Sequence, residues 1–224
     1  MPDRVVVVAA HPDDEVLGCG GTLARMALEG RAVHILLLAD GETSRTEGSA
    51  RLAARNAAAE GACKTLGCAS VEVLGLPDNR LDGLELLDVV KKIEICMERH
   101  RPSTVLTHHA GDLNVDHRVA HEAVLAACRP QPGHSVTELL FFEVPSSTEW
   151  RPPGSGEPFS PNWFVDISNT LATKLKALQV YETELREFPH PRSFKAVEAL
   201  ARWRGATAGV EAAEAFMLGR KINR

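Results

Sequence analysis

Cysteine is scarce and unpatterned in this chain. Five stand in 224 residues, at positions 19, 63, 68, 96 and 128. The number is odd and no C-x-x-C pair occurs, so neither a disulfide framework nor a cysteine zinc site is expected. Reduced, buried thiols are the reading. Lysine and arginine total 25 against 30 acidic residues, for a net charge of -5. No basic tract interleaved with aromatics offsets that balance, which argues against nucleic-acid binding. Long apolar runs are also missing. None approaches the length needed to span a bilayer, and no leader segment stands before the first apolar run, so no stable membrane insertion is expected. The expected setting is cytoplasmic.

Charge is dense in two places. Val5-Val6-Val7-Val8-Ala9-Ala10 reads as a buried strand, and it runs directly into His11-Pro12-Asp13-Asp14-Glu15. Capping the next helix would need only one of those carboxylates and would gain nothing from His11. Burying unpaired charge costs several kcal/mol by order of magnitude, and a bound divalent cation offsets that cost. His11 and Asp14 are suitable ligands, with Asp13 as a spare carboxylate. The second place is His108-His109-Ala110-Gly111-Asp112-Leu113-Asn114-Val115-Asp116-His117, which follows a short β-prone run and precedes an apolar-periodic helix. Two strand ends with the same chemistry point to one site at the carboxyl edge of a parallel sheet.

The element order supports that edge. Strands are expected at 4–10, 32–39, 71–74, 103–107 and 137–142, with helices at 19–30, 47–66, 84–99 and 116–128 between them. The alternation predicts an α/β, Rossmann-like, mostly parallel sheet with helices on both faces, in a single domain over 1–224. Residues 145–161 hold five prolines and read as an irregular loop bordering the cleft. A helical C-terminal part, about 168–186 and 193–208, is expected to follow. The Gly18-x-Gly20-Gly21 turn lacks dinucleotide-motif spacing, and close helix–strand packing explains it better.

His-Pro-Asp-Asp-Glu together with Gly-Asp-Leu-Asn-Val-Asp-His-Arg resembles the PIG-L/LmbE-like zinc-dependent N-deacetylase family. Gly75-Leu76-Pro77-Asp78-Asn79-Arg80-Leu81-Asp82 and Arg55 are similar to it as well, so the likeness covers about residues 4–130. It implies Zn2+ held by His11, Asp14 and His117. Two imidazoles and a carboxylate leave a fourth position for water, the catalytic arrangement. Asp13 is then the general base, and Glu15 orients a neighbour. His121, one helical turn after His117, is expected to stay off the metal. Arg55 and Asp78 match positions that line the substrate cleft, and His190 is a candidate to complete it.

Asn114 departs from the family pattern, which often carries an oxyanion-stabilising histidine three residues before the last ligand. Three readings stay open: Asn114 itself as amide donor, a histidine in its place (His108, His109 or His190), or Asn114 as a helix N-cap. The activity implied is removal of acetyl from an N-acetylated amino sugar of the N-acetylglucosamine type, so the partner is a small-molecule or glycoconjugate substrate. Alternatives are an amidase on a thiol-sugar, antibiotic or nucleotide-sugar conjugate, and a non-catalytic metal-dependent sugar binder. A homo-oligomer is left open.

Overall fold

A computed structural model describes residues 3–41 and 49–223. Glu42 and the start of the helix expected from residue 47 lie outside the described residues. Seven strands form one sheet: β1 (Arg4–Ala9), β2 (Ala32–Ala39), β3 (Ser70–Leu76), β4 (Thr104–His108), β5 (Glu138–Phe142), β6 (Trp163–Asp166) and β7 (Ala213–Lys221). Their order is β3-β2-β1-β4-β5-β7-β6. The pairs from β3 through β5 are parallel, and β7 runs antiparallel to both β5 and β6. Strand order reverses between β1 and β4, which opens a crevice at their carboxyl ends.

Helices α1 (Asp14–Leu28), α2 (Ser49–Leu66) and α5 (Leu171–Gln179) cover one face, and α3 (Leu86–His100) and α4 (Val115–Ala127) the other. Val5 and Val7 enter the first core while Val6 and Val8 enter the second. Both faces of β1 are therefore dry, which is why its sequence is a continuous apolar run rather than an alternation.

The tail differs from the purely helical one that the sequence predicts. Helix α5 ends at Gln179, a 3-10 turn spans Glu182–Glu184, and α6 (Phe194–Ala208) follows. Two strands, β6 and β7, frame these helices. Strand β6 is a four-residue edge strand, and β7, an interior antiparallel strand, mixes Ala, Glu, Gly, Arg and Lys with its apolar residues, so neither Trp163–Asp166 nor Ala213–Lys221 gave a strand signal.

Strand β7 repairs a break in α1. At Cys19 the backbone leaves helical geometry (φ -146°, ψ 16°). The N–H groups of Gly21 and Thr22 donate instead to Glu214, at 2.9 and 2.7 Å. Lys174 of α5 donates to the Leu17 carbonyl at 2.9 Å and pairs with Glu214 at 2.6 Å. All three freed backbone groups thus find buried partners. The break sits among glycines because space is short: a Cβ on Gly18 would collide with the Phe142 ring.

Candidate active site

The β1–α1 turn carries the first donors. Asp13 takes a φ of 107°, a conformation that costs a non-glycine residue about 1–3 kcal/mol. The turn is held from several directions. Ala10 N–H donates to His108 Nε2 at 2.8 Å, and Arg55 donates to the Pro12 carbonyl at 2.9 Å. Asp13 N–H donates to Glu15 at 3.0 Å, and Glu15 accepts from the Tyr181 hydroxyl at 2.7 Å. Burial, with the nearby Asp13 charge, pushes Glu15 up to about 8 against the Tyr181 hydrogen bond.

Within this turn the neighbouring carboxylates diverge. Asp14 Oδ2 lies 3.1 Å from His11 Nδ1 and 3.2 Å from His117 Nε2, and donor atoms of the three residues fall within 4.8 Å of one another. Asp13 Oδ2 faces Arg192, 3.2 Å away.

The far side of each imidazole faces a carboxylate. His11 Nε2 lies 3.0 Å from Asp116 and 3.2 Å from Asp78. His117 Nδ1 lies 3.1 Å from Asp112. Asp112 also accepts from Ser147 Oγ, from Thr148 Oγ1 at 2.7 Å and from Asn114 N–H at 2.8 Å. Such carboxylate–imidazole pairs orient metal-binding rings.

The donor set fits a divalent cation. Asp14 Oδ1 is buried with no hydrogen-bond partner among the described residues. Burial opposes charge on the His11 ring, yet Asp116 and Asp14 outweigh it and lift its pKa to about 10. Burial likewise opposes a charged His117, and Asp14 and Asp112 lift it to about 9. The same pairing holds Asp14 well below its usual range despite burial. The pocket therefore calls for positive charge in its midst. Asp78, Asp116 and His11 form a second cluster of suitable spacing. There, however, Asp116 already accepts from Leu81 N–H at 3.0 Å and from His11, so it reads as support for the ring.

The other expected site residues are placed as follows. Asn114 is the N-cap of α4: its Oδ1 accepts from Asp116 N–H at 2.8 Å, and its Nδ2 donates to Asn79 at 3.2 Å. His109 is turned onto the 145–161 loop, with Nε2 2.8 Å from the Glu157 carbonyl. His108 stacks on His117 at 3.9 Å, and burial lowers its pKa so that it stays neutral. His121 points at the His108 carbonyl, away from the donor cluster. Asp78 is turned behind His11 rather than out to the surface. Arg55 is buried and pairs with Glu184 at 2.5 Å, so it clamps the His11 turn to the tail. His190 is half-buried and accepts from Arg192 N–H at 3.1 Å. Sequence reasoning assigned no role to Asp112, Asp116, Tyr181 or Arg192. Asp112 and Asp116 bracket Asn114 within the second motif, and that acidic spacing was their one signal.

Comparison with known proteins places the chain. The PIG-L family, described as GlcNAc-PI de-N-acetylase, matches residues 6–128. The "uncharacterized deacetylase YaiS" of Escherichia coli strain K12 is 31% identical over 185 residues, 80% of this chain and 90% of that protein. The diacetylchitobiose deacetylase of Thermococcus kodakarensis is 30% identical over 201 residues, covering 82% and 71%. A 4-oxalmesaconate hydratase of Pseudomonas putida is also 30% identical over 196 residues, covering 78% and 71%. Among solved structures, the conserved protein TT1542 from Thermus thermophilus superimposes with a TM-score of 0.78 at 30% identity, over 100% of this chain and 97% of that one. The match of sequence over more than half its length, and of fold over all of it, shows that this chain belongs to the PIG-L family.

Proposed function

We propose that the protein is a zinc-dependent N-deacetylase that hydrolyses the acetamido group of an N-acetylglucosamine-type sugar to acetate and a free amine. The observation that carries this reading is the convergence of His11 Nδ1, Asp14 Oδ2 and His117 Nε2, with a separate carboxylate, Asp13, beside them. Zinc held by that trio would polarise the amide carbonyl and acidify water.

The protein's own groups do the rest. Asp13 accepts a proton from the attacking water and returns it to the leaving nitrogen. Burial raises Asp13 to about 6 while Arg192 pulls it down, a range suited to both halves of that task. Arg192 also fixes the carboxylate's direction, since its Nε is held by Ser146 at 2.6 Å. Asn114 is our candidate oxyanion donor. Its Nδ2 has two hydrogens, and one goes to Asn79. His109 and His190 are supporting groups in this scheme, the first holding the loop and the second the Arg192 backbone. Arg55 and Asp78 shape the cleft by fixing the His11 turn.

The test is acetate and free-amine release across N-acetylglucosamine derivatives before and after chelation and on zinc replacement. No release from any N-acetyl sugar would overturn the reading. The hydratase relative supports a second one, addition of water to an unsaturated tricarboxylate on the same scaffold. Loss of near-ultraviolet absorbance of such a diene acid, with no amine released from sugars, would select it.

A further inference from the structure

Only three tryptophans occur in the chain, and one of them, Trp150, is 49% exposed beside the candidate site. It ends the 3-10 turn Thr148–Trp150. That turn follows β5, whose carboxyl end lies at the same sheet edge as those of β1 and β4.

Two independent routes fix this indole to the reacting groups. On one side, the hydroxyls of Ser147 and Thr148 donate to Asp112, the carboxylate behind His117. On the other, the Trp150 ring meets His190 edge-on, with centroids 5.7 Å apart and planes at 83°. His190 Nδ1 accepts from Arg192 N–H, and Arg192 reaches Asp13. A half-exposed indole is poorly spent on packing, since much of its apolar area stays in water. Anchored twice at the rim of a polar site, it is suited to a ligand that is apolar on one face and polar at its edge.

We propose that Trp150, backed by His190, is a carbohydrate-stacking platform that takes the pyranose next to the ring bearing the acetamido group. The assignment of that first ring rests on the deacetylase reading above. A pyranose presents a face of C–H groups to the negative face of the indole, while its hydroxyls stay at the rim. The occupant is a neutral sugar, because the cations near the indole are already engaged, Arg151 with the Ser155 carbonyl and Arg192 with Asp13.

The experiment uses the zinc-loaded enzyme carrying Trp163→Phe and Trp203→Phe, so that Trp150 is the only indole. Diacetylchitobiose and N-acetylglucosamine are titrated separately while its fluorescence is read. The platform requires a saturable change with the disaccharide at about tenfold lower concentration than with the monosaccharide. In turnover, Trp150→Ala should raise the disaccharide-to-monosaccharide KM ratio about tenfold, acting on KM rather than kcat, and Trp150→Phe should restore most of it. An unchanged ratio, or equal fluorescence responses to the two sugars, would overturn the platform. If neither sugar is turned over, the deacetylase reading fails, and the fluorescence titration still decides the platform by the same criterion.

Discussion

Arg192 Nη1 lies 3.2 Å from Asp13 Oδ2, across 179 residues of sequence. The tail of the chain thus supplies the cation that faces the carboxylate we assign as base. Asp13→Asn should retain zinc, because Asp13 is not among the converging donors, and lose about 10²–10⁴-fold in kcat. Metal analysis beside kinetics checks it, and loss of zinc would recast Asp13 as a ligand. Arg192→Ala should lower kcat by roughly tenfold or more with zinc unchanged, as the carboxylate loses its fixed direction.

The carboxylate behind His117 should tune the metal. Asp112→Asn leaves a partner for the Nδ1 side of the ring but removes its charge, and weakens zinc affinity about 10–100-fold. Competition with a chelator of known affinity measures this. Unchanged affinity would mean that the Asp112–His117 contact serves folding alone.

Asn114 separates two roles by two readouts. Asn114→Asp keeps an oxygen to cap Asp116 N–H but lacks an amide donor. Its melting temperature should hold while turnover falls about 10²–10³-fold. Asn114→Ala should lose the turnover and also about 1 kcal/mol of stability. Full turnover in the Asp variant would leave Asn114 as a cap only.

The buried Lys174–Glu214 pair should matter to stability and not to chemistry. Lys174→Ala leaves Glu214 buried without its cation, at a cost of about 3–5 kcal/mol. Thermal unfolding should show the loss, and the folded fraction should keep its kcat. A change below about 1 kcal/mol would show that Gly21, Thr22 and water satisfy Glu214 unaided.

Acid should act on the far edge of the sheet. Burial, then His100 stacked at 3.8 Å, lowers His34 to about 4. The unfolded ring titrates near 6.5, so between these values the unfolded state binds more protons. The stabilisation is complete above about pH 6.5 and is lost as pH falls toward 4. His34→Gln should flatten the fall in melting temperature between about pH 7 and 5. An unchanged slope would place the acid sensitivity elsewhere.

The site was more legible in the sequence than the fold's final third. His11, Asp13 and Asp14 stood out because ionisable residues at the end of an apolar strand have no packing rationale, and the family resemblance singled out His117 in the second motif. The parallel half was legible because β1, β2 and β4 are buried on both faces. Strand β6 was hidden because it is a short edge strand, and β7 because its apolar residues are interrupted by Glu214, Gly219 and Arg220. Arg192 stayed unassigned because nothing local says that a loop arginine will cross to Asp13. Asp78 was expected at the cleft, and nothing in its turn context says that it will lie 3.2 Å from the His11 ring.

The repair of α1 by Glu214 has a consequence for how the molecule is made. Gly21 and Glu214 are 193 residues apart, so at about 5–20 residues per second the two ends of that contact emerge roughly 10–40 s apart. The turn bearing His11 and Asp14 leaves the ribosome early, yet the helix directly behind it has unfilled N–H groups until the last strand arrives. A nascent chain stalled before residue 214 should hold zinc donors that are present but loosely aimed. The candidate metal site would then become rigid late, although His11 is made 203 residues before Glu214.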